Sequence, residues 1–420
     1  MVDRKDKCVP QIRFPEFKND GEWNVKELRD LAVKITDKNT RNLELPVLTN
    51  SATEGVIKQT DYFEREIVTK ENLCNYYVVE VDDFVYNPRI SSTAPVGPVS
   101  RNKRERGLLS PLYTVFRFKK GHLDFYEQFF KTYYWHYYLK KKANWGARFD
   151  RINISSEDFF SMPLPAPSLK EQKAIASCLT SLDACISASK VKLEQLKAHK
   201  KGLMQKLFPA PGKTIPEYRF PEFDKEIEWN ERLLGDIGNT YPGLSGKNSN
   251  DFGHGDAEYI TYMNVFSNPI VKTELNQPIE VDPKQHQVKY GDVLFTVSSE
   301  TPEEVGMSSV WLGKKENVYL NSFCFGYRLR DQYDFIFLSY FFRSPSFRKR
   351  MMVLSQGIAR YNISKNNVMG LTIQFPSLNE QKKIAGCLFS LDEMISYCSQ
   401  EISSLEEQKK SLMQQLFPQM

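Results

Sequence analysis

The residues of this chain that could perform catalysis form partial motifs only. Asn87-Pro-Arg-Ile90 comes nearest, because adenine methyltransferases carry an Asn-Pro-Pro-aromatic signature, but the second proline and the aromatic residue are absent. His254-Gly-Asp256 fits a turn better than a catalytic dyad. The sequence has no phosphate-binding P-loop, no HExxH and no GxSxG, and its cysteines and histidines lack metal-ligand spacing. In a chain of 420 residues, the absence of a complete catalytic motif favours a binding protein over an enzyme.

Basic residues and amides cluster at loops in both halves of the chain, a combination that suits DNA. Arginine and lysine anchor phosphates, whereas amides and aromatic rings can reach base edges. A solvated domain edge would explain any single one of these residues, but not their recurrence beside matching positions in both halves. The predicted DNA contacts are Arg101, Lys103, Arg104, Arg106, Asn144, Arg148, Arg151, Asn153, Lys314, Lys315, Arg348, Lys349, Arg350, Arg360, Tyr361 and Asn362.

Composition limits the class of protein. The net charge of +5 (57 minus 52) permits a polyanionic partner without requiring one. A hydrophobic share of 41% and a charged share of 26% are typical of a globular protein with room for two or three domains. No continuous apolar run or signal-peptide layout is evident, so we expect no membrane span. Seven scattered cysteines are typical of a reducing compartment, and a cytoplasmic location is predicted.

Two stretches of the chain, 167–209 and 376–418, are nearly the same. They align without a gap at an offset of 209 (376 minus 167), and more than half of the positions are identical. Apolar residues recur at alternating steps of three and four, which predicts the seam of a coiled coil. Lys200 and Lys409 interrupt the pattern at matching places. The predicted seam comprises Ile175, Leu179, Leu182, Ile186, Leu193, Leu196 and Leu203 in one helix, and Ile384, Leu388, Leu391, Ile395, Ile402, Leu405 and Leu412 in the other.

A second repeat precedes each half. Pro10-Gln-Ile-Arg-Phe-Pro-Glu-Phe17 returns as Pro216-Glu-Tyr-Arg-Phe-Pro-Glu-Phe223, and its prolines predict an extended, aromatic-anchored lead segment. The predicted order is a lead segment over 1–24, a first body over 25–166, a first helix over 167–209, a linker with the second lead segment over 210–230, a second body over 231–375 and a second helix over 376–418.

The two bodies share certain framework positions, and their sequences differ in the stretches between those positions. Asp83 matches Asp292, Gly97 matches Gly306, and Arg151-Ile-Asn-Ile-Ser155 matches Arg360-Tyr-Asn-Ile-Ser364. Short β-rich runs between turn residues predict a mixed α/β (α+β) body with a substantial sheet, and the aromatic runs Phe125–Tyr138 and Phe335–Phe347 predict core-packed helix. A tandem repeat of this kind folds most simply about a pseudo-twofold axis, which makes the two long helices an antiparallel coiled coil.

With these residues in view, the whole chain resembles the specificity subunit of a type I restriction–modification system. The most specific marks are Pro167-Ser-Leu-Lys-Glu-Gln-Lys and Pro376-Ser-Leu-Asn-Glu-Gln-Lys, each of which opens a long helix after a variable body. The Arg-x-Asn-Ile-Ser element and the Phe-Pro-Glu-Phe lead segments are similar to that family too.

The resemblance implies a division of labour. Each body would be a target recognition domain that reads one half of a split, asymmetric double-stranded DNA site, and the helix pair would set the unread gap. The chain would bind no cofactor or metal and would have no catalytic activity. Two methyltransferase subunits would dock on it and use S-adenosylmethionine, and restriction subunits would add steps driven by ATP and Mg²⁺. Two other hypotheses stay open from the residues alone, a tandem coiled-coil adaptor that never touches DNA and a self-sufficient methyltransferase.

Overall fold

The computed structural model describes residues 8–62, 70–144 and 150–418. The chain forms two compact units, one of Met1–Ser189 with Glu401–Met420 and one of Lys190–Gln400. Each unit therefore contains one body, part of the long helix that follows it, and part of the other long helix. The predicted DNA contact Arg148 lies outside the described residues, as do its aromatic neighbours Trp145 and Phe149.

The first body is a mixed structure built on a four-stranded antiparallel sheet. That sheet has the strand order β2-β9-β6-β7, and the ribbons β3-β4, β5-β8 and β1-β10 surround it. The elements are β1 Asn24–Glu27, α1 Leu28–Leu31, β2 Ala32–Ile35, β3 Leu48–Ser51, β4 Gly55–Lys58, α2 Gln59–Tyr62, β5 Tyr77–Val79, β6 Phe84–Tyr86, β7 Val99–Arg101, β8 Gly107–Leu109, β9 Thr114–Phe118, α3 Leu123–Phe130, α4 Tyr134–Lys142, α5 Ser156–Phe160, β10 Pro163–Ala166 and the long helix α6 Leu169–Leu207.

The second body repeats the framework with a different insertion. Its four-stranded sheet has the order β12-β19-β15-β17, and a separate sheet β14-β13-β18 contains one parallel pair. The elements are β11 Asn230–Leu233, α7 Leu234–Ile237, β12 Gly238–Pro242, β13 Phe252–Ile260, α8 Tyr262–Ser267, β14 Gln277–Ile279, β15 Val293–Thr296, β16 Ser298–Ser299, β17 Ser308–Val310, β18 Val318–Leu320, β19 Cys324–Leu329, α9 Phe335–Phe341, α10 Pro345–Leu354, β20 Tyr361–Asn362, α11 Lys365–Met369, β21 Thr372–Phe375 and the long helix α12 Leu378–Leu416.

The shared framework positions have structural roles. Asp83 and Asp292 are buried immediately before β6 and β15, where each accepts two hydrogen bonds from an arginine of the neighbouring strand, Arg117 or Arg328. Gly97 has a φ of +81°, and a side chain there would collide with the Asn87 carbonyl oxygen. These requirements explain why the edges of the bodies agree while the insertions differ.

The two aromatic runs pack in the cores as predicted, but each forms two helices and not one. Phe125, Phe129 and Trp135 are buried in the first body, as are Phe337 and Phe341 in the second. In the second run the Ser344 hydroxyl accepts a hydrogen bond from the Phe347 amide, and Pro345 follows as the first residue of α10. A serine cap followed by proline starts a new helix, because proline has no amide hydrogen to give to the turn before it.

The long helices pack against each other in antiparallel fashion within each unit. In the first unit, Ile175 and Leu179 near the start of α6 share a core with Leu416 at the end of α12, and Asp183 bonds Lys409 one or two turns further along. In the second unit, Leu207 shares a core with Ile384 and Leu388, and Lys200 bonds Asp392. Every predicted seam residue is buried or half-buried.

Helix α6 also contains a window apolar enough, with a mean hydropathy of 1.2, and long enough to cross a membrane by length and composition alone. Alanine and cysteine residues beside the seam raise this value. Such a window is weak support for a membrane span, because the same helix uses its leucine and isoleucine side to pack against α12.

The lead segments run through short turns and bends, which differs from the predicted extended course, and a tryptophan anchors each of them. Pro15–Phe17 forms a single short helical turn, and Trp23 and Trp229 are buried in the cores of their bodies. In each segment an arginine reaches the first turn of the long helix, where Arg13 binds Glu171 and Arg219 binds Glu380 through two parallel bonds. The segments therefore attach the bodies to the helices.

Candidate DNA interface

The first basic cluster of the first body is mostly neutralised by carboxylates of the same body. Arg101 Nη1 lies 2.6 Å from Asp124, and its Nε donates to Asp82 at 2.8 Å. Lys103 lies 2.8 Å from Glu127, and Arg106 lies 2.9 Å from Glu80. Arg104 is exposed, and within the described part of the chain no acceptor bonds its guanidinium. Of this cluster, Arg104 has the side chain with the greatest freedom to meet a phosphate.

The second cluster surrounds a strand-like segment at the end of the first body. Asn144 donates its amide hydrogen to the Asn153 carbonyl at 2.8 Å, so the backbone of the two predicted contacts is paired. Arg151 is about one quarter exposed at its side chain, and its nearest carboxylate, Asp150, is 3.7 Å away. At that distance the two groups form an ion pair without a hydrogen bond.

Two arginines of the second body act within the fold. Arg348 donates to the Gly306 carbonyl at 2.6 Å and to the carbonyls of Glu303 and Val305, so it holds the loop around the framework glycine. Burial lowers the pKa of Arg348 to about 10. Arg350 donates to the Thr372 carbonyl. These contacts favour structural roles for both residues.

Three lysines of the second body lie at its surface. Lys315 bonds Glu258, whereas Lys314 and Lys349 are exposed and have no bonded carboxylate among the described residues. Lys314 and Lys349 therefore keep their charges available for a polyanion, in the manner of Arg104 in the first body.

A hairpin-like loop presents the remaining predicted contacts of the second body. Gln356 and Asn362 exchange two backbone hydrogen bonds of 2.9 Å, and Gly357 turns the chain with a φ of +139°. Between them Arg360 is exposed, and Tyr361 is half-buried. Ile358 is 96% exposed at the tip. Sequence reasoning missed Ile358, because exposure of one aliphatic residue depends on a loop conformation that no periodicity encodes.

Arg151 and Arg360 differ in how their segments pair with the strand before them. The Ile152 amide bonds the Pro88 carbonyl, whereas the residue that bonds the matching carbonyl of Val297 is Ile363. Toward that preceding strand the pairing therefore differs by two residues between the bodies, and Arg151 occupies the place of Asn362. The helices that follow still begin after the matching serines Ser155 and Ser364.

The residues that resembled catalytic motifs are structural. Asn87 donates to the Asn50 carbonyl at 2.9 Å and accepts the Arg89 amide at 3.1 Å, so its polar atoms are used inside the fold. His254 and Asp256 lie in β13, which corrects the predicted turn, because positive φ angles at Gly253 and Gly255 give an irregular strand there. Within the described ranges no group of three or more potential metal ligands occurs.

Comparison with known proteins identifies a family that has this architecture. A family model described as the type I restriction modification DNA specificity domain matches the chain twice, over residues 20–198 and 226–407. A putative type I restriction enzyme specificity subunit, MjaX of Methanocaldococcus jannaschii, is 24% identical in an alignment of 422 positions that covers 93% of this chain and 92% of the relative. The EcoKI specificity subunit of Escherichia coli K12 is 27% identical in an alignment of 251 positions that covers 57% of this chain and 52% of the relative.

Solved structures share the fold. A chain from a structural study of complex assembly and conformational transition in a type I restriction–modification system superimposes with a TM-score of 0.55 at 14% identity, over 95% of this chain and 98% of that one. The S subunit of the type I system from M. genitalium gives a TM-score of 0.54 at 14% identity, over 98% and 100% of the two chains.

Proposed function

The chain belongs to the family of type I restriction–modification DNA specificity proteins, and we propose that each of its bodies reads one half of a split DNA site. It is a specificity subunit with two target recognition domains. The observation that supports two half-sites is the pair of bodies itself, since both have the same four-stranded framework and each has a different insertion. Identical insertions would suit a palindrome, whereas unlike insertions suit an asymmetric site.

The surfaces that meet DNA follow from the uncompensated cations. Arg104 in the first body and Lys314, Lys349 and Arg360 in the second are exposed and free of bonded carboxylates in the described structure. Such residues anchor the phosphates and fix the register of each body on the duplex. Ile358 sits beside Arg360 at a loop tip, where an aliphatic side chain can contact a thymine methyl group or enter a base step.

The partners follow from the family. We propose that two methyltransferase subunits dock on the exposed sides of the long helices and supply S-adenosylmethionine chemistry, and that restriction subunits supply the steps that use ATP and Mg²⁺. The chain itself then needs neither a cofactor nor catalytic residues, which agrees with the structural use of Asn87. A complex that acts on chromosomal DNA would work in the cytoplasm.

A methylation map tests this proposal. The chain is expressed with its neighbouring methyltransferase subunit in a host that does not methylate adenine, and the DNA is then sequenced by a method that detects modified adenine. We expect one split motif with two unlike halves and one fixed gap. A stable complex that binds no duplex and leaves no methylated motif would instead indicate an adaptor that joins proteins.

A further inference from the structure

A polar cavity of about 330 Å³ opens on the first body beside Arg151. Its walls include Asn50 and Ser51 of β3, the Asn87-Pro-Arg89 turn after β6, Tyr113 and Arg151. Hydroxyl and amide groups make up much of the remaining lining. The described lining residues include two arginines and no carboxylate.

The two arginines stand directly opposite each other. Arg89 and Arg151 form an antiparallel bridge, flanked by hydrogen bonds from the Ile90 amide to the Asp150 carbonyl at 3.1 Å and from the Ile152 amide to the Pro88 carbonyl at 2.9 Å. Side chains of directly opposed residues project to the same face, and two like charges in that position repel each other. An anion between them removes this repulsion.

Within the described part of the chain, neither guanidinium is hydrogen-bonded to a carboxylate. Arg89 is exposed and has no bonded side-chain partner within the described residues, and Arg151 Nε is buried without an acceptor. The nearest carboxylate to Arg151 is Asp150 at 3.7 Å, and its side chain is 63% exposed. A larger cavity of about 500 Å³ in the same body differs, because there Lys103 is paired with Glu127.

The partial methyltransferase-like motif has a role in this arrangement. Asn87 accepts the Arg89 amide and donates to the Asn50 carbonyl, so it fixes the turn that carries Arg89 over the cavity. Pro88 limits the backbone of the same turn. The Asn-Pro-Arg sequence therefore positions an arginine, which is a different use from holding an adenine in a catalytic pocket.

We infer that Arg89 and Arg151 together bind one phosphoryl group at this cavity. Guanidinium groups match the oxygens of a phosphate through paired, charge-assisted hydrogen bonds. The second body has Ser298 opposite Asn362 in the corresponding place, so the site belongs to the first body alone. The phosphoryl group is a phosphodiester of bound DNA or part of a free phosphate compound, and the DNA assignment rests on the proposed function.

The test uses the full chain in complex with its methyltransferase subunit. The dissociation constant for a duplex with the mapped site is measured over a range of salt concentrations for the wild type, Arg89→Gln, Arg151→Gln, the double variant and the control Arg29→Gln, an arginine bonded to Glu27. Each single variant should reduce the slope of log Kd against log salt by about 1, and the double variant also by about 1, because one phosphate is lost in every case. The control should keep the wild-type slope.

Inorganic pyrophosphate separates the two sources. If the slopes of the variants match the wild type but pyrophosphate raises the Tm of the wild type and not of Arg89→Gln, the site holds a free phosphate compound and the DNA assignment is overturned. If neither the slope nor the Tm response changes, the site itself is overturned. A wild-type complex that binds no duplex would reject the proposed function, and the pyrophosphate comparison would still decide the site.

Discussion

Two buried arginine–glutamate pairs explain why the lead segments and the starts of the long helices carry matching residues in both halves of the chain. Glu171 and Glu380 belong to the Glu-Gln-Lys signature at the start of the long helices, and each is 1% exposed. Arg13 and Arg219 of the lead segments bind them with N–O distances of 2.6 to 2.8 Å. The two repeated motifs are therefore the two sides of one contact, which attaches a body to its helix.

Replacing Arg219 with alanine should destabilise the second unit by about 3 kcal/mol, because removing one partner leaves a buried carboxylate without its counter-charge. Urea unfolding of the full chain measures the change. Lys225→Ala is the matched control, since this exposed lysine lies in the same lead segment, and its effect should stay within about 0.5 kcal/mol. Equal stability of the two variants would show that the pair contributes nothing.

The lysines that interrupt the seam bind aspartates of the opposite helix. In the first unit Asp183 accepts bonds from Lys409 and, at 2.8 Å, from Gln128 of the body. In the second unit Asp392 accepts bonds from Lys200 and, at 2.6 Å, from Tyr340 of the body. One carboxylate thus joins both helices and the body in each unit.

The Asp183 carboxylate should make the free energy of unfolding depend on pH in the acidic range. Burial opposes its charge, but hydrogen bonds from Lys409 and Gln128 outweigh burial and lower the pKa of Asp183 from 3.8 to about 2. A lowered pKa stabilises the fold above the unfolded value and loses that effect as the pH falls toward 2. After allowance for solvent screening, Asp183→Asn should cost about 1 kcal/mol at pH 7.

Urea unfolding of the wild type and Asp183→Asn at pH 7, 5 and 3 tests this assignment. The difference in stability should hold between pH 7 and 5 and shrink at pH 3. A difference that is the same at all three values would show that the carboxylate charge is not the cause.

Ile358 should contribute to DNA affinity and not to folding. It is 96% exposed, so Ile358→Ser should leave the Tm unchanged, while loss of an apolar contact in the groove should weaken binding about tenfold. Val353→Ser is the control, because Val353 is 75% exposed on the preceding helix α10. If both variants bind DNA as tightly as the wild type, Ile358 is not part of the DNA interface.

The long helices are the elements that the sequence predicts best. Apolar residues that recur at helical spacing over many turns indicate a long helix and no other element. Both helices have the same length of 39 residues. The aromatic runs were harder to interpret, because the periodicity of Phe335–Phe347 continues through the Ser344-Pro345 break. Only the capping contact shows that a new helix begins there.

A matched insertion tests the role of these helices. Seven residues added to each helix, after Lys190 and after Ser399, preserve the seam because they add one heptad. They lengthen each helix by about 10 Å, which corresponds to about three base pairs. The methylation map should show a gap about three base pairs longer with both half-sites unchanged. An unchanged gap, or changed half-sites, would contradict the role of the helices as a spacer.

At the scale of the whole chain, the architecture is predictable because its elements are repeated in sequence. The DNA interface is not predictable in this way, because it lies where the two halves differ. Matching helices, lead segments and framework residues such as Asp83 and Asp292 gave the order of elements. The DNA contacts could not be assigned from residue type, because Arg101 and Arg348 share their charge with Arg104 and Arg360 but bond within the fold. The displaced pairing of Arg151 shows the same limit, since alignment gives neighbours in sequence and not partners across a sheet.

The central claim is that each body reads its own half-site, and an exchange of bodies tests it most directly. Residues 25–165 are replaced by the corresponding body of a relative whose methylated motif is known, and the rest of the chain is kept. The methylation map of the hybrid should show one half of the motif replaced by a half from the relative, with the other half and the gap unchanged. A map in which both halves change together would contradict the account.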